Sequence, residues 1–256
     1  MDNLPGIFIC TNFPDEYNSV IINELVKSGD FTVAGLLFTK SFAGDNGLMI
    51  KIRRMLSFGV FNLARIALQF ATRRTDLPKT NEAAKLEKWI TETGTPVLTL
   101  EGQTWKEAQQ KILAMQPTLV LLIHFNKIIP GSFLKQQPNT YNIHLGKLPE
   151  RRGAWPVFWT LLCDDEEAYA SLHQVEKGID TGAVVCETSV PAKNRSIADL
   201  MFLLSEKIGK QVPAALQNIV QGTAAPRVQN ERNANYFGRP AAPDFAKFLK
   251  AGKKFY

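Results

Sequence analysis

The chain has 256 residues, of which 45% are hydrophobic and 21% charged, a balance typical of a globular protein with room for one large domain or two small ones. Its net charge is +6, but it lacks a basic helix, an aromatic RNA-binding signature and a zinc finger, so a nucleic-acid partner is not expected. The three cysteines lie far apart, which argues against a disulfide framework or a cysteine zinc site and suits a reducing compartment.

The first half of the chain alternates apolar strand patterns with amphipathic helix patterns. A strand at 6–13, a helix at 17–29 and a strand at 31–39 form a β-α-β unit, which predicts a parallel sheet with right-handed crossovers. Residues 48–75 carry an apolar pattern interrupted by five arginines, which predicts one or two amphipathic helices. We interpret this stretch as packed on the sheet rather than as a membrane-surface or partner helix. The alternation then continues, with helices at 81–94 and 105–116 and strands at 95–102, 118–125 and 140–144.

In the second half of the chain, the sequence pattern predicts fewer regular elements. Residues 154–162 have the pattern of a helix, 168–190 that of two strands joined by a tight turn, and 196–222 that of a long amphipathic helix, followed by a polar, basic end. The whole pattern predicts a Rossmann-like α/β fold with an open, mainly parallel sheet in residues 1–190 and a short C-terminal extension, residues 191–256, packing on it. Ligands of such sheets bind beyond the carboxyl ends of the strands.

Two polar side chains stand at the end of the last predicted parallel strand. Asn142 and His144 are two residues apart, so they point to the same face of the sheet. An Asn offers two N–H donors and a His can move a proton near neutral pH, so the pair could stabilise an oxyanion and accept a proton. Asp180, in the glycine-flanked turn "GIDTG", could orient His144 or hold a water. Each of these features alone is more often structural than catalytic.

In combination the features match a family pattern. The run "NIHLGKLPERRG", with "DTG" 38 residues after Asn142, resembles the formyltransferase family that uses 10-formyltetrahydrofolate. That family includes glycinamide ribonucleotide formyltransferase, the catalytic domain of methionyl-tRNA formyltransferase and the sugar N-formyltransferases. The likeness is strong over residues 118–190 and looser over the first 40.

The resemblance implies a formyltransferase fold and a direct transfer of the formyl group to an amine, with Asn142, His144 and Asp180 as the catalytic set and no metal. It also implies that the loop before the Asn142 strand holds the pterin largely through backbone groups, while the Asp180 loop closes its other side. The implied folate-binding residues are Phe125, Asn126, Lys127, Ile128 and Ile129 in the first loop and Gly178 and Ile179 in the second.

Two features of the sequence narrow the range of possible amine acceptors. The stretch "CTNFPDEY" after the first strand lacks the glycine-rich phosphate loop of the glycinamide ribonucleotide enzymes, and too few residues follow the last long helix for the β-barrel of the tRNA enzymes. We therefore expect an amino sugar on a nucleoside diphosphate, as in lipopolysaccharide biosynthesis. The candidate acceptor-binding residues are Arg152, which could bind the diphosphate bidentately or lie in solvent, Gly153 and Trp155.

Several alternatives stay open at this point. The acceptor could be glycinamide ribonucleotide, an aminoacyl-tRNA or a specialised metabolite, and the chain could be an inactive folate-binding homologue. After His144 the family usually has Pro-Ser or Gly-Ser, whereas this chain has Leu145-Gly146, which leaves the geometry of the acceptor side open. Without a signal peptide or an uncharged apolar run of 18 residues, we expect a cytoplasmic enzyme with no membrane span; a homodimer stays open.

Overall fold

The structure is a computed structural model that describes residues 4–12, 14–39, 60–72 and 81–256. The predicted amphipathic pattern at 48–75 lies outside these ranges except for one helix at its centre. The described helices are α1 (Glu16–Ser28), α2 (Val60–Thr72), α3 (Glu82–Thr93), α4 (Trp105–Ala114), α5 (Gly131–Gln136), α6 (Pro156–Leu162), α7 (Ile197–Val220) and α8 (Ala242–Lys250).

The predicted open, mainly parallel α/β sheet is confirmed. In the described residues its strands are β1 (Gly6–Thr11), β2 (Thr32–Phe38), β3 (Val97–Thr99), β4 (Leu119–Ile123), β5 (Thr140–His144), β7 (Glu167–Gln174) and β8 (Val184–Pro191). These seven strands lie in the order β3-β2-β1-β4-β5-β7-β8, the first five parallel and the last two antiparallel to their neighbours. A second sheet pairs β6 (Arg152–Gly153) with β9 (Tyr236–Phe237) in parallel.

Hydrophobic packing covers both faces of the large sheet. On one face, α1 and the long α7 pack on apolar side chains that alternate along the strands, such as Ile7 and Ile9 of β1. On the other face, Phe8 and Cys10 pack with α4 and α5. Because strand side chains alternate between faces, β1 separates its apolar residues into two layers, which gives the three-layer arrangement of this fold class.

Local signals in the sequence explain where the helices begin. The Asp15 side chain accepts the N–H of Asn18 at the start of α1, and Gly29 ends that helix in the left-handed conformation at φ 71°. Thr104 and Ser196 form capping boxes with Glu107 and Asp199 at the starts of α4 and α7. These caps satisfy N–H groups that would otherwise lack partners at the helix ends.

The C-terminal residues lie against the rest of the chain. The aromatic rings of Phe245 and Phe248 in α8 pack against Phe158 of α6. Helix α2 reaches the same region, because Asn62 donates to the Ala242 carbonyl and Gln69 to that of Lys253. The described helix within 48–75 thus bonds to the C-terminal segment through two side chains, while its Ile66 packs against the hydrophobic cluster that contains Ile7 and Ile9 of the sheet.

Candidate active site

The site begins at the carboxyl end of β5, where the chain alternates between core and polar side chains. Tyr141 and Ile143 point into the core beside α1 and α7, while Asn142 and His144 point to the opposite face. The antiparallel neighbour β7 places His173 opposite Asn142 and Ser171 opposite His144. Directly opposed residues share a face, so β5 and β7 together present four polar side chains on one side of the sheet.

Asp180 enters this group from the loop that connects β7 and β8. Its backbone is left-handed, with φ 54°, and its carboxylate folds back over the two strands. One oxygen, Oδ2, accepts the Gly153 N–H at 2.8 Å and lies 3.6 Å from His144 Nδ1. The other, Oδ1, lies 3.6 Å from His173 Nε2. The predicted set of Asn142, His144 and Asp180 is therefore brought together.

Hydrogen bonding assigns the protons of His144. Its Nε2 lies 2.7 Å from the Arg151 carbonyl oxygen, which only an N–H can satisfy, so Nε2 carries the proton. In the neutral ring the lone pair is then on Nδ1, the atom that faces Asp180. A proton arriving at Nδ1 would form an imidazolium directly beside a carboxylate, which favours that product electrostatically.

His173 fixes the orientation of Asn142 in a similar way. His173 Nδ1 lies 2.8 Å from the Gln174 carbonyl and donates to it, so Nε2 is an acceptor. The Asn142 amide nitrogen lies 3.1 Å from this Nε2 and donates to it. The amide group of Asn142 is therefore held with its NH₂ toward His173, and an NH₂ group has a second N–H to give to a substrate.

The charges of the group follow from burial and its neighbours. Burial lowers the pKa of His144, whose side chain is only 7% exposed, although the Asp180 carboxylate opposes this shift. Burial would raise the pKa of Asp180, but the positive charge that His144 carries when it is protonated at low pH, the contact with His173 and the Gly153 N–H together hold it well below its usual range. Near neutral pH the site thus combines a neutral imidazole with an ionised carboxylate.

The predicted pterin loop follows β4 on the same face of the sheet. Phe125 packs against Trp105, whose indole N–H donates to the Ile128 carbonyl at 3.2 Å. Ile129 is buried, whereas the side chain of Ile128 is 80% exposed and Lys127 is exposed. The Asn126 N–H donates to the side chain of Asn12 at the end of β1.

The second predicted folate loop carries Gly178 and Ile179 next to Asp180. A Cβ at Gly178 would lie 2.6 Å from the Thr181 side chain, so a larger residue there would have to displace Thr181. Ile179 is about half exposed. Both loops thus present one exposed isoleucine, and contact of either with folate stays a prediction.

The three predicted acceptor-side residues have different environments. Gly153 touches the site directly through its N–H on Asp180, and at φ 101° a Cβ there would lie 2.2 Å from the Phe237 carbonyl oxygen. Arg152 is 7% exposed and gives its guanidinium hydrogen bonds to Gln229 and Glu231, so this geometry does not support a diphosphate contact. Trp155 is 37% exposed and contacts the rings of Phe158 and Phe245.

Two residues near the site are missing from the sequence prediction. His173 could have been found from its position two residues after Ser171 on a predicted strand, but only the register with β5 brings it opposite Asn142. Gln229 contacts the Asp180 loop from a segment that no local pattern connects with it. Long-range contacts of this kind carry no signal in a single sequence.

The described part of the chain contains no group of three or more His, Cys, Asp or Glu side chains placed to hold a metal ion. Within the same ranges, no helix has the length and apolar composition needed to cross a bilayer.

Comparison with curated proteins finds methionyl-tRNA formyltransferases among the relatives. The chain is 30% identical over 147 residues to a methionyl-tRNA formyltransferase of Marinobacter nauticus, and 28% identical over 146 residues to one of Synechococcus. The matches cover 57% and 55% of this chain but 47% and 43% of those proteins. The chain therefore spans about half the length of the curated relatives that it matches.

Comparison with solved structures shows where the fold recurs. A glycinamide ribonucleotide transformylase from Symbiobacterium toebii superposes with a TM-score of 0.62 at 16% identity, over 90% of this chain and 96% of the other. An N-formyltransferase from Helicobacter canadensis, in complex with folinic acid and dTDP-3-aminofucose, superposes with a TM-score of 0.56 at 16% identity, over 91% and 70% of the two chains. At such identities the likeness is one of fold.

The sequence model of one family, described as formyl transferase, matches residues 69–216, more than half of the chain. These residues include the β5 strand with Asn142 and His144 and the loop with Asp180. The match agrees with the sheet order and with the family resemblance of the sequence motifs. The chain belongs to the formyl transferase family.

Proposed function

We propose that this chain transfers the formyl group of 10-formyltetrahydrofolate to a primary amine. The observation that carries the proposal is the convergence of Asn142, His144 and Asp180 at one end of β5, with neutral imidazole and ionised carboxylate side by side. Such a group can stabilise negative charge on an oxygen and accept a proton from nitrogen, which are the two requirements of acyl transfer to an amine.

The proposed chemistry assigns one task to each side chain. The folate cosubstrate supplies a formyl carbon bound to nitrogen. As the amine attacks that carbon, the Asn142 N–H that is not used on His173 donates to the carbonyl oxygen, where negative charge develops. His144 Nδ1 accepts the proton that the amine loses, and Asp180 stabilises the imidazolium. The same proton can then be returned to the folate nitrogen as its bond to carbon breaks.

Folate is the proposed cosubstrate because of the family and of the two loops beside the site. Ile128 and Ile179 expose apolar side chains on the loops after β4 and β7, and apolar surface near a polar catalytic group suits a flat heterocycle. The Helicobacter canadensis protein, which has the same fold, was solved with folinic acid.

For the acceptor we propose the amine of a nucleotide-linked amino sugar. The Helicobacter canadensis protein was solved with dTDP-3-aminofucose. The alternative acceptor glycinamide ribonucleotide would need a phosphate site after β1, at the start of α1, and the residues there do not favour one. Asp15 already occupies that helix end by accepting the Asn18 N–H, and burial raises the pKa of Asp15 to about 6. A phosphate at this helix end would have to displace or adjoin a carboxylate.

An aminoacyl-tRNA is the second candidate acceptor, because the two curated relatives described above are methionyl-tRNA formyltransferases. The chain covers less than half of those proteins, so their substrate is not transferred to it directly.

The test is a turnover assay that follows tetrahydrofolate release from 10-formyltetrahydrofolate with four acceptors: dTDP- and GDP-linked amino sugars, glycinamide ribonucleotide and charged initiator tRNA. We expect turnover with an amino sugar, and a loss on the order of 100-fold or more in Asn142→Ala and in His144→Ala. Turnover only with tRNA or glycinamide ribonucleotide would replace the sugar by that acceptor. Absence of turnover with all four acceptors would refute the proposed function. Near-normal turnover in His144→Ala would refute the role of His144.

A further inference from the structure

A segment beyond the long helix α7 bonds to the Asp180 loop and to residues 152–154 of the candidate site. We call residues 227–238 the return segment; it lies outside the residues 69–216 that the family model matches. Arg227 pairs with Val184 through two backbone hydrogen bonds, beside the Asp180 loop. Farther along, the carbonyls of Asn235 and Phe237 accept the N–H groups of Arg152 and Ala154. The return segment therefore bonds to the two stretches of backbone that adjoin Asp180, its own loop near Val184 and residues 152–154.

Gln229 makes the most direct contact between the return segment and Asp180. Its side chain is 6% exposed, and its amide nitrogen donates to the Asp180 carbonyl at 2.8 Å and to the Gly182 carbonyl at 2.7 Å. Its amide oxygen accepts two N–H groups of Arg152, at 3.0 and 2.8 Å. All hydrogen-bonding groups of this buried amide are thus used, as burial of a polar group requires.

The hydrogen bonds of Gln229 support an unfavourable backbone conformation at Asp180. Asp180 adopts φ 54°, a conformation that a residue with a side chain rarely takes without support from its surroundings. Gln229 ties together the two carbonyls on either side of Thr181 and links them to Arg152. Gly153, the residue after Arg152, donates its N–H to the Asp180 carboxylate. The backbone of Asp180 is therefore held by Gln229, and its carboxylate by Gly153, the neighbour of the Arg152 that Gln229 also binds.

We propose that Gln229 is a positioning residue of the active site: by donating to the Asp180 and Gly182 carbonyls, it holds the Asp180 carboxylate against His144. The inference rests on the proposed formyl transfer for its catalytic meaning, but the arrangement itself is measurable without a substrate. Gln229 touches none of the reacting groups; it acts through Asp180.

The principal variant is Gln229→Leu, which removes both donors, together with the acceptor for Arg152, without changing charge. Asn230→Leu is the matched control, because Asn230 is an exposed neighbour whose side chain caps its own turn by accepting the Arg232 N–H. The readout is the pKa of His144, followed by NMR of the protein labelled with ¹³C in its imidazole rings. The chain has three histidines, so single substitutions assign the signals.

The expected direction follows from the groups that face His144. Burial lowers its pKa, the Asp180 carboxylate and the hydrogen bond with the Arg151 carbonyl raise it, His173 lowers it, and His124 also interacts with it electrostatically. If Gln229 holds Asp180 in place, Gln229→Leu lowers the pKa of His144 toward its value in Asp180→Asn, and Asn230→Leu leaves it unchanged. A link that serves only the stability of the fold would lower the melting temperature in Gln229→Leu without moving this pKa.

Activity gives the second measurement, with an acceptor that the wild type turns over. We expect kcat of Gln229→Leu to fall on the order of 10- to 100-fold, as for misplacement of a catalytic group. Gln229→Glu is the second variant should Gln229→Leu not fold, since it keeps the acceptor for Arg152 and lacks the donors. Wild-type kcat in a folded variant of either kind, or an unchanged pKa of His144 in folded Gln229→Leu, overturns the proposal. Absence of wild-type turnover would instead refute the proposed function and leave the histidine titration to decide the role of Gln229.

Discussion

At the scale of single residues, the candidate site depends on which nitrogen of His144 is free to take a proton. The Arg151 carbonyl holds the proton on Nε2, so that Nδ1 faces Asp180 as a base. Burial keeps this base neutral, and Asp180 favours its charged form once the proton has moved. The two neighbours thus separate the tasks of choosing the tautomer and stabilising the product.

This arrangement predicts the acid limb of the pH profile. The neutral imidazole is the active form, and burial lowers the pKa of His144 from its usual 6.5, so kcat/KM should fall only as the pH drops below 6.5. Asp180→Asn removes a contribution that raises this pKa, so in that variant the acid limb should move to lower pH while the plateau falls. The measurement is kcat/KM against pH for both proteins. An acid limb above pH 6.5 attributable to His144, or one unmoved in Asp180→Asn, would contradict the assignment.

The sequence could supply part of this site and no more. Alternation along β5 is a local property, so the shared face of Asn142 and His144 is predictable, and the family motif adds Asp180. His173 becomes visible only through the register of β5 with β7. Gln229 lies 49 residues from Asp180 in the chain, and nothing in the intervening sequence states that the two are neighbours.

At the scale of elements, strands and helices can be predicted from the sequence where their hydrophobic pattern is long and regular. The prediction fails where tertiary contacts define the element. The apolar runs of β1, β2 and β4 give their positions to within a few residues. The strand expected at 95–102 is formed only over Val97–Thr99, at the edge of the sheet. The pair β6 and β9 has two residues in each strand, too few for any periodic signal.

The loop after β5 is tightly packed at Gly146, one of the two positions at which this chain differs from the residues that usually follow the family histidine. A Cβ on Gly146 would lie 2.7 Å from His144 Nε2 and 2.9 Å from the Arg151 carbonyl oxygen, the two ends of one hydrogen bond. The Gly146 carbonyl is itself held by the Ser171 hydroxyl at 2.8 Å. Glycine at this position therefore permits the contact that sets the His144 tautomer.

We therefore expect Gly146→Ala to separate His144 from the Arg151 carbonyl and to lower kcat on the order of 10- to 100-fold. Gly131→Ala is the control, because a Cβ there meets nothing within 4 Å. That variant should keep kcat and change the free energy of unfolding by less than about 1 kcal/mol. Equal kcat in the two variants would show that the loop tolerates a side chain and that His144 needs no such contact.

At the scale of the whole molecule, the residues beyond 190 contribute to the core of the sheet as well as to the site. Buried side chains of α7, such as Leu204 and Ile208, belong to the same hydrophobic cluster as Ile7 and Ile9 of β1. The sequence beyond residue 222 predicts only a polar, basic end, because its phenylalanines follow no pattern long enough to indicate a partner. The domain boundary at 190 stays a prediction, and the way the chain unfolds can test it.

The sharpest probe of that boundary is Phe248 in α8. Its ring is fully buried, stacks on Phe158 of α6 at 4.7 Å and lies 5.0 Å from the ring of Phe255. Because α6 follows directly on the loop that contacts Asp180, this cluster joins the C-terminal end to the candidate site. Phe248→Ala leaves a cavity between these rings and should cost about 3–5 kcal/mol of unfolding free energy.

If the sheet and the C-terminal residues form one cooperative unit, the loss will appear as a lower midpoint of a single transition, coincident by far-UV circular dichroism and tryptophan fluorescence. Tyr236→Ala, at an exposed ring, is the control and should change the free energy by less than about 0.5 kcal/mol. An early fluorescence transition in Phe248→Ala, with the sheet signal unchanged, would mean that residues 191–256 unfold by themselves. Trp159 lies next to Phe158, so fluorescence would report such a step, and the C-terminal residues would then be a separable unit docked on an independently stable sheet.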